Sequence, residues 1–168
     1  DLVCHVDDPM VAAAEQDVEW CFCELEGQMM FKSGEVLGTV SARYLGVEYA
    51  RTTRGFKSRV PIKYVTEMLE ALCMETCKPV ATPSTAALKP STPEEKELWM
   101  EPVNEQQHYV YRHSVGKERF MTPYRPDICH CVKELSCNLP CPTMEHWHHL
   151  RRLARYLQGT KDAWLVLE

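Results

Sequence analysis

The 168 residues predict an α+β fold, with short strands gathered in the first 60 positions and helices dominating after them. Three observations point that way. Apolar and polar residues alternate in short runs around two turn signals, Asp7-Asp8 and Thr53-Arg54-Gly55. Apolar residues then recur at spacings of three and four from Ile62 onward. A proline-rich stretch from Lys78 to Pro102 separates the first helical stripe from the later ones.

Leu2-Val3-Cys4-His5-Val6 and Pro9-Met10-Val11-Ala12 read as two strand arms. Successive side chains of a strand point to opposite faces, so the adjacent carboxylates of Asp7 and Asp8 share a site only at a hairpin tip. Pro9 lacks a backbone donor and is expected to disturb the pairing unless its arm is an edge. Val18, Phe22, Leu25 and Met29 mark a helix over 15–31, with Glu15, Asp17 and Glu19 favoured at its N-terminal end by the helix dipole. Gly34 and Gly38 break it. Residues 42–50 read as one strand, Thr53-Arg54-Gly55 as a turn, and 56–60 as the returning arm.

Pro61 is placed to open a helix carrying Ile62, Val65, Leu69 and Leu72 and ending near Met74. Pro79, Pro83, Pro90, Pro93 and Pro102 make 78–102 a strap wrapped over a surface. Helices are expected over 105–116, 126–139 and 143–157. In the last, Trp147, Leu150, Ala154 and Leu157 share a face, and Gly159 supplies a left-handed stop. A short strand over 163–167 closes the chain.

Composition is ordinary for a globular protein, 45% hydrophobic and 26% charged. No run approaches the roughly 20 apolar residues of a membrane span. Nine cysteines, an odd number without a secreted spacing, point to reduced thiols and an intracellular setting. A net charge of −5 argues against a uniformly basic nucleic-acid binder, yet the charge is uneven. Residues 1–35 carry nine acids against Lys32, and residues 36–63 carry six bases against Glu48. An acidic site beside a basic stretch suits a phosphate polymer held next to metal ions, and solvated surface faces give the same pattern.

Paired aspartates at a tip suit a hard, oxygen-loving cation such as magnesium, although Asp is also a good turn residue. A second metal set, Cys129, Cys131, Cys137, Cys141, His146 and His149, is disfavoured for zinc. No Cys-x-x-Cys pair occurs there, and Cys129 and Cys131 fall on different faces of the expected helix. Arg151, Arg152 and Arg155 are open to two readings, a nucleic-acid contact or a solvated helix face.

Taken in order, the motifs resemble the reverse transcriptase of copia-type retrotransposon polyproteins. His5-Val6-Asp7-Asp8 is similar to the family's aromatic-Val-Asp-Asp hairpin, Tyr44-Leu45-Gly46-Val47-Glu48 to its Leu-Gly-Ile-Glu hairpin, and Lys63-Tyr64-Val65 to its Lys-Tyr-Ile helix. Cys77-Lys78-Pro79-Val80-Ala81-Thr82-Pro83 resembles its Cys-Lys-Pro-Val-x-Thr-Pro strap. Tyr111 to Gly116, Arg125-Pro126-Asp127-Ile128, His146-Trp147 and Arg155 to Thr160 complete the series. Two positions depart from the family pattern: His5 stands where Tyr or Phe is usual, and Pro9 where an aliphatic residue continues the strand.

The resemblance implies that residues 1–60 are the second half of a polymerase palm and 61–168 the thumb and connector toward a ribonuclease H domain. The first palm half, with a third metal-binding carboxylate, is expected upstream, and the segment alone is expected not to polymerise. Asp7 would be the principal magnesium ligand and Asp8 an auxiliary one, in a site for two ions. His5, Tyr44, Leu45 and Gly46 would lie against the primer, while Arg51, Arg54 and Lys57, with Arg59, would contact phosphates. Lys32 matches a lysine after the palm helix, or is an ordinary helix-end lysine. The implied partners are an RNA or DNA template-primer, dNTP, and the polyprotein's fingers, ribonuclease H and integrase parts, in a cytoplasmic particle or the nucleus, with no membrane. The alternative is a decayed or repurposed non-catalytic module that binds nucleic acid or protein.

Overall fold

A computed structural model describes residues 1–6, 8–28, 41–83 and 89–168. β1 (Leu2–His5) and β2 (Asp8–Val11) form an antiparallel pair with His5 opposite Asp8, so Asp8 opens the returning strand instead of sitting at the tip. Asp7 lies outside the described residues. Asp1 and Ala12 exchange both backbone bonds at 2.8 Å. Antiparallel pairs alternate, so Cys4 and Pro9, three pairs further on, form a non-hydrogen-bonded pair. Pro9 therefore costs the ladder nothing, because its missing N–H would have pointed away from β1. α1 (Glu15–Glu26) follows and ends short of the expected residue 31, with the Gly27 N–H closing on the Cys23 carbonyl. Met29, Lys32, Gly34 and Gly38 lie outside the described residues.

β3 (Ala42–Tyr44), β4 (Val47–Arg51), β5 (Phe56–Arg59) and β6 (Leu165–Leu167) form an antiparallel sheet in the order β3-β4-β5-β6. The stretch 42–50 is thus two strands, not one. Leu45 and Gly46 take φ of 47° and 78°, the consecutive left-handed pair that a two-residue hairpin needs. Gly46 adopts this at no steric cost, but Leu45 does not. At the next turn a Cβ on Gly55 would run into the Leu167 carbonyl, so glycine there lets β6 close on the sheet. The sheet draws on the first 60 residues and on the chain's last strand.

The helical part is ordered by its apolar stripes. α2 (Ile62–Ala71) buries Val65, Met68 and Leu69, and Leu72 behind it. It ends with the Met74 N–H on the Leu69 carbonyl at 2.8 Å, around Cys73 at φ 53°. This is a Schellman stop with cysteine where glycine is favoured. The expected strap contains a helix, α3 (Pro93–Met100): Thr92 accepts the Glu95 N–H at 3.2 Å, Pro93 fills the first turn, and Glu94 and Glu95 meet the dipole. α4 (Glu105–Met121) starts from an Asn104–Gln107 capping box and runs through Gly116, where the expectation stopped.

A 3₁₀ turn (Pro126–Ile128) leads into α5 (Cys129–Cys137), and α6 (Met144–Gly159) completes the body. Tyr111, Val115, Ile128, Val132, Leu135, Leu150, Leu153 and Leu157 close one core with α2. Gly159 is helical and Thr160 caps at φ −129°, so the glycine is no left-handed stop. Its role is packing, since a Cβ there would lie 2.8 Å from Pro79 Cβ on the strap. Arg155 Nε donates to the Lys78 carbonyl at 2.7 Å, and Arg152 Nη2 to Thr82 Oγ1 at 3.1 Å. Arg152 and Arg155 thus hold the strap to α6. Among the described residues no helix is long and apolar enough to cross a membrane.

Candidate functional site

Among the described residues, the two hairpins singled out by sequence meet through one hydrogen bond. The Tyr44 hydroxyl at the end of β3 donates to the Asp8 carbonyl at the start of β2, at 3.1 Å. His5 faces Asp8 across the first hairpin, and both are exposed. Just before it, Val6 takes φ 57°, a left-handed conformation that a β-branched residue adopts only against steric cost. Leu45 is exposed on the β3–β4 turn, and Gly46 beside it presses against the body. A Cβ on Gly46 would lie 3.3 Å from Tyr64 Oη and 3.8 Å from Phe120 Cζ. Those two rings stack at 5.3 Å, and the Tyr49 and Tyr124 hydroxyls meet at 3.4 Å behind them. Burial pushes the Tyr49 phenol well above its ordinary value, so it stays protonated and hydrogen-bonding.

The basic residues expected to touch phosphates do not converge. Arg51 and Arg54 sit at the far end of β4 from Leu45 and Gly46, a five-residue strand of roughly 17 Å at the usual rise. Lys57 pairs with Ala50 in mid-sheet, with its ammonium 4.6 Å from the Trp164 ring centre. Arg59 lies 4.4 Å from the same ring and 2.7 Å from Glu48, which also meets Arg43 at 3.3 Å. The hydrogen bond from Arg59 holds the Glu48 carboxyl below its usual range. Trp164 was not singled out by sequence reading. A lone tryptophan entering a short apolar run beside a basic strand was its available signal.

For metals, the donor chemistry at the first hairpin fits a hard cation: Asp8 offers an exposed carboxylate and Asp7 precedes it in sequence. Among the described residues no group of three or more His, Cys, Asp and Glu is arranged to hold an ion. Three of the six residues weighed for zinc have other partners. His146 Nδ1 accepts the Thr143 N–H at 3.0 Å in the cap of α6, Cys131 Sγ donates to the Pro83 carbonyl at 3.4 Å, and Cys129 Sγ to the Thr122 carbonyl at 3.5 Å.

Two of the C-terminal motifs join in a clasp. Arg125 grips Asp127 with Nε on Oδ1 at 3.0 Å and Nη2 on Oδ2 at 2.7 Å, and reaches the Thr160 carbonyl at 3.0 Å and its hydroxyl at 2.8 Å. The Tyr156 hydroxyl donates to Asp127 Oδ2 at 2.6 Å. Despite partial burial, these bonds hold the Asp127 carboxyl below its ordinary value. Arg125–Ile128 and Arg155–Thr160 are therefore architecture, tying α6 to the start of α5.

No protein-family model matches the chain, and no solved structure matches it significantly. Its sequence relatives define the class: it corresponds to a segment of a retroelement polyprotein, and its homologues are copia-type retrotransposon Pol polyproteins. It is 33% identical over 125 residues, 74% of this chain and 8% of the relative, to the retrovirus-related Pol polyprotein from transposon RE2 of Arabidopsis thaliana. The corresponding polyprotein from transposon TNT 1-94 of Nicotiana tabacum is 30% identical over 168 residues, 95% of this chain and 12% of the relative. An uncharacterized mitochondrial protein of Arabidopsis thaliana is 30% identical over 161 residues, 95% of this chain and 61% of the relative. The chain spans only about a tenth of the polyproteins it matches.

Proposed function

We propose that the chain is part of an RNA-directed DNA polymerase, contributing the second half of the palm and the region toward the ribonuclease H domain. The observation that carries this reading is the Tyr44–Asp8 bond, which sets the carboxylate hairpin against the Leu45–Gly46 hairpin in a relative of Pol polyproteins. Asp7 and Asp8 hold magnesium, which supplies charge neutralisation at the attacking and leaving oxygens of nucleotidyl transfer. His5, Tyr44, Leu45 and Gly46 steady the primer end, and Arg51, Arg54 and Lys57 track its phosphates. The partners are template-primer, dNTP and the remaining polyprotein parts, in a cytoplasmic particle or the nucleus. The test joins this chain to its upstream polyprotein residues and measures magnesium-dependent primer extension. Loss of extension in Asp7→Asn and a smaller loss in Asp8→Asn are expected; unchanged extension in Asp7→Asn refutes the assignment.

A second reading, a repurposed non-catalytic module, is favoured by one observation. The mitochondrial relative is mostly accounted for by this chain, unlike the polyproteins. Nucleic-acid or protein binding without extension in the joined protein would select it.

A further inference from the structure

The cap of α6 uses a residue that capping does not ordinarily employ. The Thr143 N–H donates to His146 Nδ1 at 3.0 Å, and the Thr143 hydroxyl lies 2.9 Å from the same nitrogen. A ring nitrogen that accepts a backbone N–H carries a lone pair, so the neutral imidazole holds its proton on Nε2. Glu or Gln is the usual partner in a capping box, and its oxygen remains an acceptor in mild acid. An imidazole does not, because a proton on Nδ1 sets a donor against a donor. The Thr143 hydroxyl can turn to accept from that proton, but the backbone N–H cannot.

The same turn fastens three helices. Thr143 forms an antiparallel bridge with Pro102, the Met144 N–H donates to the Glu101 carbonyl at 2.9 Å, and the Val103 N–H donates to the Pro142 carbonyl at 3.1 Å. Residues 101–103 join α3 to α4, so the cap of α6 also anchors that joint. Just before the joint, Trp99 is buried and stacks at 4.8 Å on His148, while its neighbours Leu98 and Met100 are in solvent.

The groups around His146 pull in opposite directions. Glu145 and His149 of α6, with Glu134 and Cys131 of α5, share a cleft of about 200 Å³ with it, and Glu101 of the joint reaches the turn through its carbonyl. Burial outweighs the attraction of Glu145 and holds the His146 imidazole below its ordinary value, and the helix N-terminus likewise disfavours a positive ring. His148 is no trigger: it lines a separate open cleft of about 400 Å³ with Arg151, and an imidazolium there would keep its attraction to the indole face. We propose that His146 is an acid-operated latch, whose protonation opens the Thr143 cap and loosens the joint that holds α3 and α4 to α6. The latch is fully closed above the ordinary histidine value of 6.5 and opens as pH falls through the lower folded value. Loosening α3 bares Trp99 beside Leu98 and Met100, which gives the strap an apolar surface in mild acid.

Hydrogen exchange on the full chain tests the latch, with the Met144 and Val103 amides read against the Leu135 amide in the core of α5 so that changes in global stability cancel. Between about pH 7.5 and about pH 5, corrected for intrinsic exchange, protection at Met144 and Val103 relative to Leu135 is expected to fall at least about fivefold, the effect of losing one cap. The His146 Nδ1 signal in NMR should titrate with the same midpoint, and the Trp99 indole signal should follow it. His146→Gln keeps an acceptor at the capping position and does not titrate, so it should hold the relative protection constant. A His146 Nδ1 that is already protonated at neutral pH, or relative protection that does not fall in the wild type, overturns the proposal without any variant. A fall of the same size in His146→Gln overturns it equally.

Discussion

From Asp1 to Gln28 no described side chain is buried, whereas α6 alone buries Trp147, Leu150, Leu153, Ala154 and Leu157. The first region carries the proposed metal ligands on a two-stranded hairpin and one helix, with Leu2, Val3, Val6 and Trp20 in solvent. A two-stranded hairpin is marginal on its own. The second region has a closed core, three capped helices and a buried arginine clasp. The difference teaches that the proposed chemistry and the stability of this chain reside in different places. The hairpin is positioned by what it touches, here the Tyr44 hydroxyl, while the helical body positions itself.

The contrast breaks most directly at its two extremes. Leu150→Ala removes a fully buried side chain and is expected to cost about 3–5 kcal/mol, whereas Val3→Ala, at 56% exposure, should cost less than about 0.5 kcal/mol by urea denaturation. Comparable costs would erase the distinction between the regions.

Arg125→Ala should come next, at about 2–4 kcal/mol, because it strips Asp127 and Thr160 of their partner at a buried position. Arg125→Lys is expected to restore little of it, since an ammonium cannot bridge both groups. The Asp127 carboxyl is held below its ordinary 3.8, so this contribution is present above that value and is lost as pH falls through the folded one. Acid titration of stability should show that loss in the wild type and not in Arg125→Ala.

Glu118 tests the helical body from within. It is fully buried on α4, both carboxylate oxygens lack a hydrogen-bond partner among the described residues, and burial raises its pKa well above the ordinary 4.5. The protonated acid is the form the core accepts. Stability is therefore full below about 4.5 and falls as pH rises toward the folded value. Glu118→Met should remove that slope and stabilise the chain by about 1–3 kcal/mol at neutral pH. A flat wild-type profile across that range would contradict it.

The smallest effects concern two left-handed turn positions with opposite residues. Cys73 at φ 53° occupies a glycine site, so Cys73→Gly should gain up to about 1 kcal/mol. Gly46→Ala, at φ 78° and 3.3 Å from Tyr64 Oη, should lose about 1 kcal/mol, seen as thermal shifts of opposite sign.

Much of this was legible in advance where one residue's neighbours in sequence are also its neighbours in space. The stripes Ile62-Val65-Leu69-Leu72, Ile128-Val132-Leu135 and Trp147-Leu150-Ala154-Leu157 were read at helical spacing, and all but the half-buried Ile62 are buried. The α3 cap, Thr92-Pro93-Glu94-Glu95, was equally written in the chain but hidden by the prolines around it. The break at Leu45-Gly46 was obscured because leucine gives no turn signal at a left-handed position. For the candidate site, Asp8, His5, Tyr44 and Gly46 were all named, but not the bond that joins two of them.

By itself, the sequence determined the order of elements, the apolar faces and the motif series that its polyprotein relatives share, because periodicity and turn chemistry act within a few residues. Only the tertiary structure decided which charges are spent on architecture. Arg125, Arg152 and Arg155 hold loops, and Arg59 holds Glu48. Glu118 sits in the core and Arg151 faces the open cleft. A charged side chain has the same formal charge everywhere in the sequence, and its role follows from the dielectric and the partner it meets after folding.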